Sequence, residues 1–253
     1  AKMEITDFLK EDGKFIFNGD EPLLQARAQK LNQLQATFGF NSTDTIYATN
    51  FNSYMHHASF TINDSKVKFT IPMIGKHNVS NALAAILVGR TFGVPDVEIA
   101  QALANFVPTA NRMQWEKGDL GEAIMSDVYN SNPTAAKAVL TSFSQVDVDA
   151  FGRRIAVLGD MLELGAASHQ LHASLAEVLT PQLIDELYLY GPEMKYLFEA
   201  LSGKYESSAL HYYEKDHMDR MINDLREDIK PHDIVMLKGS HGMHLEKVLE
   251  RLL

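Results

Sequence analysis

Asp127-Val128-Tyr129-Asn130-Ser131-Asn132-Pro133 follows the apolar run Ala123-Ile124-Met125 and leads into the helix-forming Thr134-Ala135-Ala136-Lys137-Ala138-Val139-Leu140. An acidic residue at a strand end, then asparagines and a proline, then a helix, is how an α/β fold presents polar groups to a ligand. Asn132 is placed to cap the helix by accepting from its free backbone N–H groups. Pro133 suits the first helical position, where its missing donor would lack a partner anyway. The stretch reads either as a well-made strand-to-helix turn or as a ligand loop, and the rest of the chain bears on the choice.

Downstream the same unit recurs. Arg153 to Leu158 ends in Gly159-Asp160, Glu186 to Tyr190 in Gly191-Pro192, and Asp233 to Leu237 in Lys238-Gly239-Ser240. Each apolar run is too short for a helix and is separated from the next by helical sequence, as in the βα units of a parallel sheet. Ligands of open parallel sheets bind outside the carboxyl ends of the strands. Asp127, Asp160 and Lys238 are therefore expected on one rim.

Upstream, Lys14 to Asn18 reads as a short strand, residues 22 to 37 as a helix, and residues 45 to 74 as β-hairpins with a turn at Asn63-Asp64-Ser65. Gly75-Lys76-His77-Asn78 opens a helix to Phe92, and Asp96 starts another to Phe106. The break at Pro108-Thr109-Ala110-Asn111 divides the chain into domains 1–108 and 109–253. Asn78 and Asn81, three residues apart, share a helix face, with Ala82, Ala84 and Ala85 permitting close backbone approach. Two amides on one face can read a purine or a ribose; capping by Asn78 is the alternative, and it explains only one of the two. Arg112, just past the break, can clamp a phosphate with its planar fork or form a surface salt bridge.

Of the 253 residues 45% are apolar and 22% charged, an ordinary globular composition with room for two domains. A net charge of −10 without a Lys/Arg block argues against nucleic acid or an anionic membrane as the main partner. No apolar run approaches the roughly 20 residues that span a bilayer. With no cysteine there is no disulfide framework or thiolate metal site, and the cytoplasm is the expected compartment. His169/His172 and His241/His244 have helical spacing but lack the glutamate of a zinc-binding H-E-x-x-H, so ordinary helix-surface histidines are expected. Ala1-Lys2-Met3-Glu4-Ile5 lacks an initiator methionine and reads as the middle of a folded unit, which suggests a fragment.

Five stretches in this order, Gly75-Lys76-His77-Asn78-Val79-Ser80-Asn81-Ala82, Asn111-Arg112-Met113-Gln114, Asp127 to Pro133, Gly159-Asp160-Met161-Leu162-Glu163-Leu164-Gly165 and Lys238-Gly239-Ser240, resemble the ordered signatures of the Mur ligases. The resemblance covers nearly the whole chain. It implies an α/β architecture: the second half of a P-loop-type central ATPase domain with a small antiparallel β subdomain, then a Rossmann-like parallel-sheet C-terminal domain. It also implies a bacterial, monomeric, ATP- and Mg²⁺-dependent amide ligase. Within the family, Tyr129–Pro133 and Gly159–Gly165 point to addition of D-alanyl-D-alanine to UDP-N-acetylmuramoyl-tripeptide through an acyl phosphate, in peptidoglycan precursor synthesis.

The resemblance further implies roles. His77, Asn78 and Asn81 would meet the nucleotide, Arg112 its phosphates and Asp127 its ribose, while Asn130 and Asn132 flank the adenosine. Arg112 and Lys238 would be the catalytic cations. Asp160, Glu163, Ser168, Lys238, Gly239 and Ser240 would line the side where the dipeptide sits. Lys2, in an Ala-Lys-x-x-Ile context, would carry a carbamate that helps hold Mg²⁺; a solvated lysine is the alternative.

The chain departs from the family in one respect above all. Gly13-Lys14 is followed by Phe15, Gly75-Lys76 by His77 and Gly203-Lys204 by Tyr205, so no Gly-x-x-x-x-Gly-Lys-Ser/Thr loop is present to cradle the β- and γ-phosphates. The segment alone is expected not to ligate. His241 also stands where relatives often place Arg. A non-catalytic binding module without a P-loop is the second reading. A sister ligase such as a folylpolyglutamate synthase is the third, disfavoured by the Tyr129–Pro133 and Gly159–Gly165 stretches.

Overall fold

The computed structural model describes residues 2–109 and 111–253, without the side chain of Lys2. The carbamate expectation for Lys2 lies outside the described residues. The chain forms two compact units, Ala1–Val107 and Pro108–Leu253.

The first unit runs β1 (Lys14–Asn18), α1 (Pro22–Ala28), β2 (Leu34–Gly39), β3 (Ile46–Ser53), β4 (Ala58–Ile62), β5 (Ser65–Ile71), α2 (Lys76–Thr91) and α3 (Asp96–Ala104). Its sheet has the order β1-β2-β3-β4-β5. The first three strands are parallel, and β3, β4 and β5 antiparallel. Asn63-Asp64 make the two-residue connection between β4 and β5. In β5, Lys66 and Lys68 face out while Phe69 and Ile71 face in, the period-two pattern of a half-buried strand. Val79, Leu83, Ile86 and Leu87 recur on one stripe of α2 and pack with Ala36, Ile46, Phe60 and Phe69. Each such fully buried side chain contributes about 1.5–3 kcal/mol.

The helix expected over residues 22 to 37 stops at Ala28, and Leu34–Gly39 is a strand. The leucines that suggested a helical stripe do not face a core: Leu23 is 82% exposed and Leu34 70%. Pairing with β1 from Lys14↔Leu34 to Asn18↔Phe38 outweighs local propensity. Gln35 also reaches back to donate to the Ala28 and Leu31 carbonyls, bracing the chain where the helix ends. Elsewhere in this unit Arg90 ties the β4–β5 turn to the start of α3, with bonds of 2.8 Å to Asp64 and 2.7 Å to Asp96. Its hydrogen bond holds the Asp96 carboxyl below the usual carboxylate range.

The second unit runs β6 (Gln114–Lys117), β7 (Ala123–Asp127), α4 (Pro133–Phe143), β8 (Arg154–Gly159), α5 (Ser168–Ala173), β9 (Glu186–Tyr190), α6 (Met194–Leu201), β10 (Leu210–Tyr213), α7 (Met218–Asp228), β11 (Ile234–Lys238) and α8 (Glu246–Leu252). The sheet order is β10-β9-β8-β11-β7-β6, parallel throughout except for the β6–β7 pair. Ile155, Val157, Val235 and Leu237 point to one face with Ile222, Leu225, Leu245 and Val248, while Ala156, Leu158 and Met236 are buried on the other. Burial on both faces explains the near-continuous apolar runs.

The two edge strands, β6 and β10, escaped the sequence reading because each is four residues of mixed polarity paired on one side only. At the amino ends of the central strands, Arg153 binds Asp233 at 2.7 Å, Glu186 at 2.6 Å and Asp228 at 2.8 Å. Among the described residues no helix is long and apolar enough to cross a membrane.

Candidate functional site

β11 lies between β7 and β8, with Lys238 in register beside Asp127 and Leu158. The rim expected for Asp127, Asp160 and Lys238 therefore exists at the carboxyl ends of these strands. Lys238 is 2% exposed, and its Nζ is 2.9 Å from Asp127 Oδ2. It also donates to the backbone carbonyls of Asp127, at 3.4 Å, and Asn130. An ammonium has three donors, and all three are engaged. Lys238, expected as a catalytic cation, and Asp127, expected at the ribose, here form a pair that pins the 127–130 loop to the central strand.

Asn132 Oδ1 accepts from Ala135 N at 2.9 Å, with Pro133 at the first helical position, so its side chain caps α4 as one of the two sequence readings held. Asn132→Ala is expected to lower stability by about 1 kcal/mol, with Asn132→Ser close to wild type in urea unfolding. Asn130 keeps an exposed side chain. The exposed Arg112 guanidinium stands 4.3 Å over the half-exposed Tyr129 ring, and the His241 ring lies 6.3 Å from Tyr129. Asn111, which the sequence reading left without a role, has left-handed backbone (φ 61°). Its carbonyl accepts from Tyr129 N at 3.3 Å and its Oδ1 from Ser126 Oγ at 3.1 Å. These bonds fasten the segment bearing Arg112 to the end of β7.

The second half of the rim is the turn after β8. Asp160 is 2% exposed and its carboxylate accepts from Met194 N at 2.9 Å and Glu193 N at 3.3 Å, capping α6 from outside the helix. Burial pushes its carboxyl above the usual range despite these bonds. Gly191 makes room for it: its φ is 115°, and a Cβ there would come 2.5 Å from Asp160 Cγ. Asp160, expected on the dipeptide side, here ties the turn after β8 to the start of α6.

Ser240 N donates to the Asp160 carbonyl at 3.1 Å, and Leu162 N donates to Ser240 Oγ at 2.9 Å. Gly239 serves packing, since a Cβ there would meet Leu245 Cδ1 at 2.8 Å. Glu163 is exposed and has φ 64°, a conformation costing a non-glycine residue about 1–2 kcal/mol. Such local strain is maintained by surrounding structure and clusters at functional sites.

The histidine expectation needs correction at one position. His172 is fully buried: Met161 N donates to its Nε2 at 2.8 Å, and its Nδ1 lies 2.8 Å from the Ser168 carbonyl. His169, His241 and His244 are exposed as expected. Helical spacing hid the difference because α5 is only six residues long and buries the His172 side.

In the first unit, α2 starts at Gly75 (φ 90°) without a side-chain cap. Asn78 is 7% exposed and donates to the Ile74 carbonyl at 2.9 Å, with His77 Nε2 3.2 Å away. The N-cap position of α2 is Gly75, and Asn78 lies in the first turn of the helix. Asn81 is exposed, and Lys76 Nζ lies 5.5 Å from the centre of the Phe40 ring. The structure thus buries one member of the expected amide pair and presents the other. Among the described residues, three metal-donor side chains converge at Glu214, Asp216 and His217, all exposed and all beyond β10. The rim at 127–130, 160–163 and 238–240 offers Mg²⁺ no such cluster.

A parallel sheet with a polar, partly strained rim defines an α/β protein, the rim lying where folds of this kind bind their ligands. The Mur ligase middle domain model matches residues 1–89, and the model described as Mur ligase, glutamate ligase domain, matches residues 111–241. The chain belongs to the Mur ligase family. Among curated relatives it is 34% identical to the UDP-N-acetylmuramoyl-tripeptide–D-alanyl-D-alanine ligase of Bacillus subtilis (strain 168), over all of this chain and 54% of that protein. It is 28% identical to the Escherichia coli (strain K12) protein of that name, with the same coverage.

Among solved structures, MurF from Acinetobacter baumannii superposes with TM-score 0.84 at 23% identity, over 100% of this chain and 54% of that one. MurF from Thermotoga maritima in complex with ADP gives 0.81 at 23% identity, over 99% and 55%. These likenesses establish the α/β fold. The chain spans about half the length of the curated relatives it matches.

Proposed function

We propose that the protein carrying this chain is a cytoplasmic, ATP-dependent ligase that joins D-alanyl-D-alanine to the terminal carboxylate of UDP-N-acetylmuramoyl-tripeptide. The observation that carries the reading is the exposed pair of Arg112 and Tyr129 beside the Lys238-pinned loop, at the carboxyl end of a sheet matched by the ligase-domain model. ATP with Mg²⁺ would supply the phosphoryl group that activates the carboxylate. The chain's own part is positioning and charge compensation, which dominate catalysis of such transfers. Arg112 presents fork donors suited to phosphate oxygens, and the Tyr129 face gives the guanidinium a fixed backing. Asn130 offers an exposed amide toward the nucleotide. Glu163 presents a carboxylate that attracts the dipeptide's ammonium group.

The phosphate-cradling motif does not occur in these 253 residues, so the assay uses the natural protein. ADP release is expected to require both the tripeptide nucleotide and D-alanyl-D-alanine. Arg112→Ala is expected to slow turnover about a hundredfold with an unchanged melting temperature, because the side chain is exposed. Ligand binding without turnover in the wild type would overturn the ligase reading in favour of a binding module. A wild-type rate for the variant would remove Arg112 from the chemistry.

A further inference from the structure

Residues 160–163 leave the end of β8 and turn sharply, and three hydrogen bonds decide where they go. Two come from Ser240: its amide donates to the Asp160 carbonyl, and its Oγ accepts from Leu162 N. The third is the bond from Met161 N to His172 Nε2 at 2.8 Å. An amide N–H can only donate, so Nε2 must be the bare nitrogen of the ring. The other nitrogen, Nδ1, then carries the proton and donates to the Ser168 carbonyl at 2.8 Å. The ring is fully buried. One neutral tautomer satisfies both neighbours, and the other leaves the amide and the carbonyl each facing a like group in a buried setting.

Directly after these anchored residues, Glu163 sits in left-handed backbone with an exposed side chain, and Gly165 repeats the left-handed geometry at φ 58°. A non-glycine residue holds that conformation only where its surroundings over-determine it. His172 and Ser240 do so by holding the backbone of residues 160–162.

We infer that His172 is a positioning residue: held as the Nδ1–H tautomer, it anchors the Met161 amide and so fixes where Glu163 presents its carboxylate to the amino group of the incoming dipeptide. The inference rests on the ligase reading above. The groups facing the ring are backbone at Met161 and Ser168, the Ser168 hydroxyl 3.3 Å from Nδ1, and the buried Asp160 carboxylate, whose charge acts on it. The ring thus works by direction of hydrogen bonding.

The test compares His172→Gln with His172→Asn in the natural protein. A glutamine oxygen reaches the place of Nε2 and can still accept from Met161; an asparagine is one bond too short. His172→Asn is expected to raise KM for D-alanyl-D-alanine about tenfold with KM for ATP unchanged, and His172→Gln to restore most of the loss. Nitrogen NMR of the wild type should show Nδ1 protonated and Nε2 bare. A normal dipeptide KM for the asparagine variant, equal KM rises for ATP and dipeptide, or the opposite tautomer would overturn the inference while leaving the ligase reading intact. Absence of dipeptide-dependent turnover in the wild type would overturn both.

Discussion

Asp127→Ala will destabilise the second unit by about 3–5 kcal/mol, a larger loss than any surface charge removal. The Lys238 ammonium is 2% exposed and would be left with only the backbone carbonyls of Asp127 and Asn130 against the cost of burying its charge. Removing one partner of a buried pair is costly because the other charge remains out of water, whereas removing both is far milder. The double variant Asp127→Leu with Lys238→Met should therefore recover much of the loss. Urea unfolding of the wild type, Asp127→Leu, Lys238→Met and the double variant closes the cycle. A loss below about 1 kcal/mol for Asp127→Ala, the range of an exposed pair, would show that water reaches the ion pair.

Arg153→Ala should cost a comparable amount, about 3–5 kcal/mol, at the opposite end of the same strands. The guanidinium serves three carboxylates at once, and those of Asp233 and Glu186 are almost wholly buried. Arg153→Lys should recover only a minor part, since a single ammonium cannot reproduce the planar fork. Acid sensitivity follows from the same cluster. Burial pushes the Glu186 carboxyl up, but the His211 and Asp228 hydrogen bonds and the charge of Arg153 outweigh it and hold it below the usual range. A carboxyl held low when folded adds stability that is complete above its ordinary unfolded pKa and lost as pH falls through the lowered folded value. Arg153→Ala should thus begin acid unfolding at a higher pH than wild type. Coincident acid transitions for the two proteins would exclude that role.

The three later strand-and-helix units were legible because short apolar runs ending in Gly-Asp, Gly-Pro or Lys-Gly-Ser leave little else to be. What the sequence could not display was direction. Whether Lys238 faces a ligand or Asp127 depends on β11 lying beside β7, a pairing between residues 111 positions apart. His172 was hidden for a similar reason, since its acceptor role is set by a turn eleven residues earlier. Residues 34–39 misled because leucine spacing imitated a helix while the deciding partner, β1, lies 20 residues upstream.

The placing of β11 has a consequence during synthesis. It is the last strand of its unit to leave the ribosome, yet it belongs between β7 and β8, which are made long before. Until it arrives, those two strands present unpaired facing edges, and Asp127 waits without its cation. The rim and the middle of the sheet are therefore completed together by a single late insertion. A nascent chain stalled before Ile234 is, on this account, a species for chaperones to shield, and a slow stretch of translation there would lengthen its exposure.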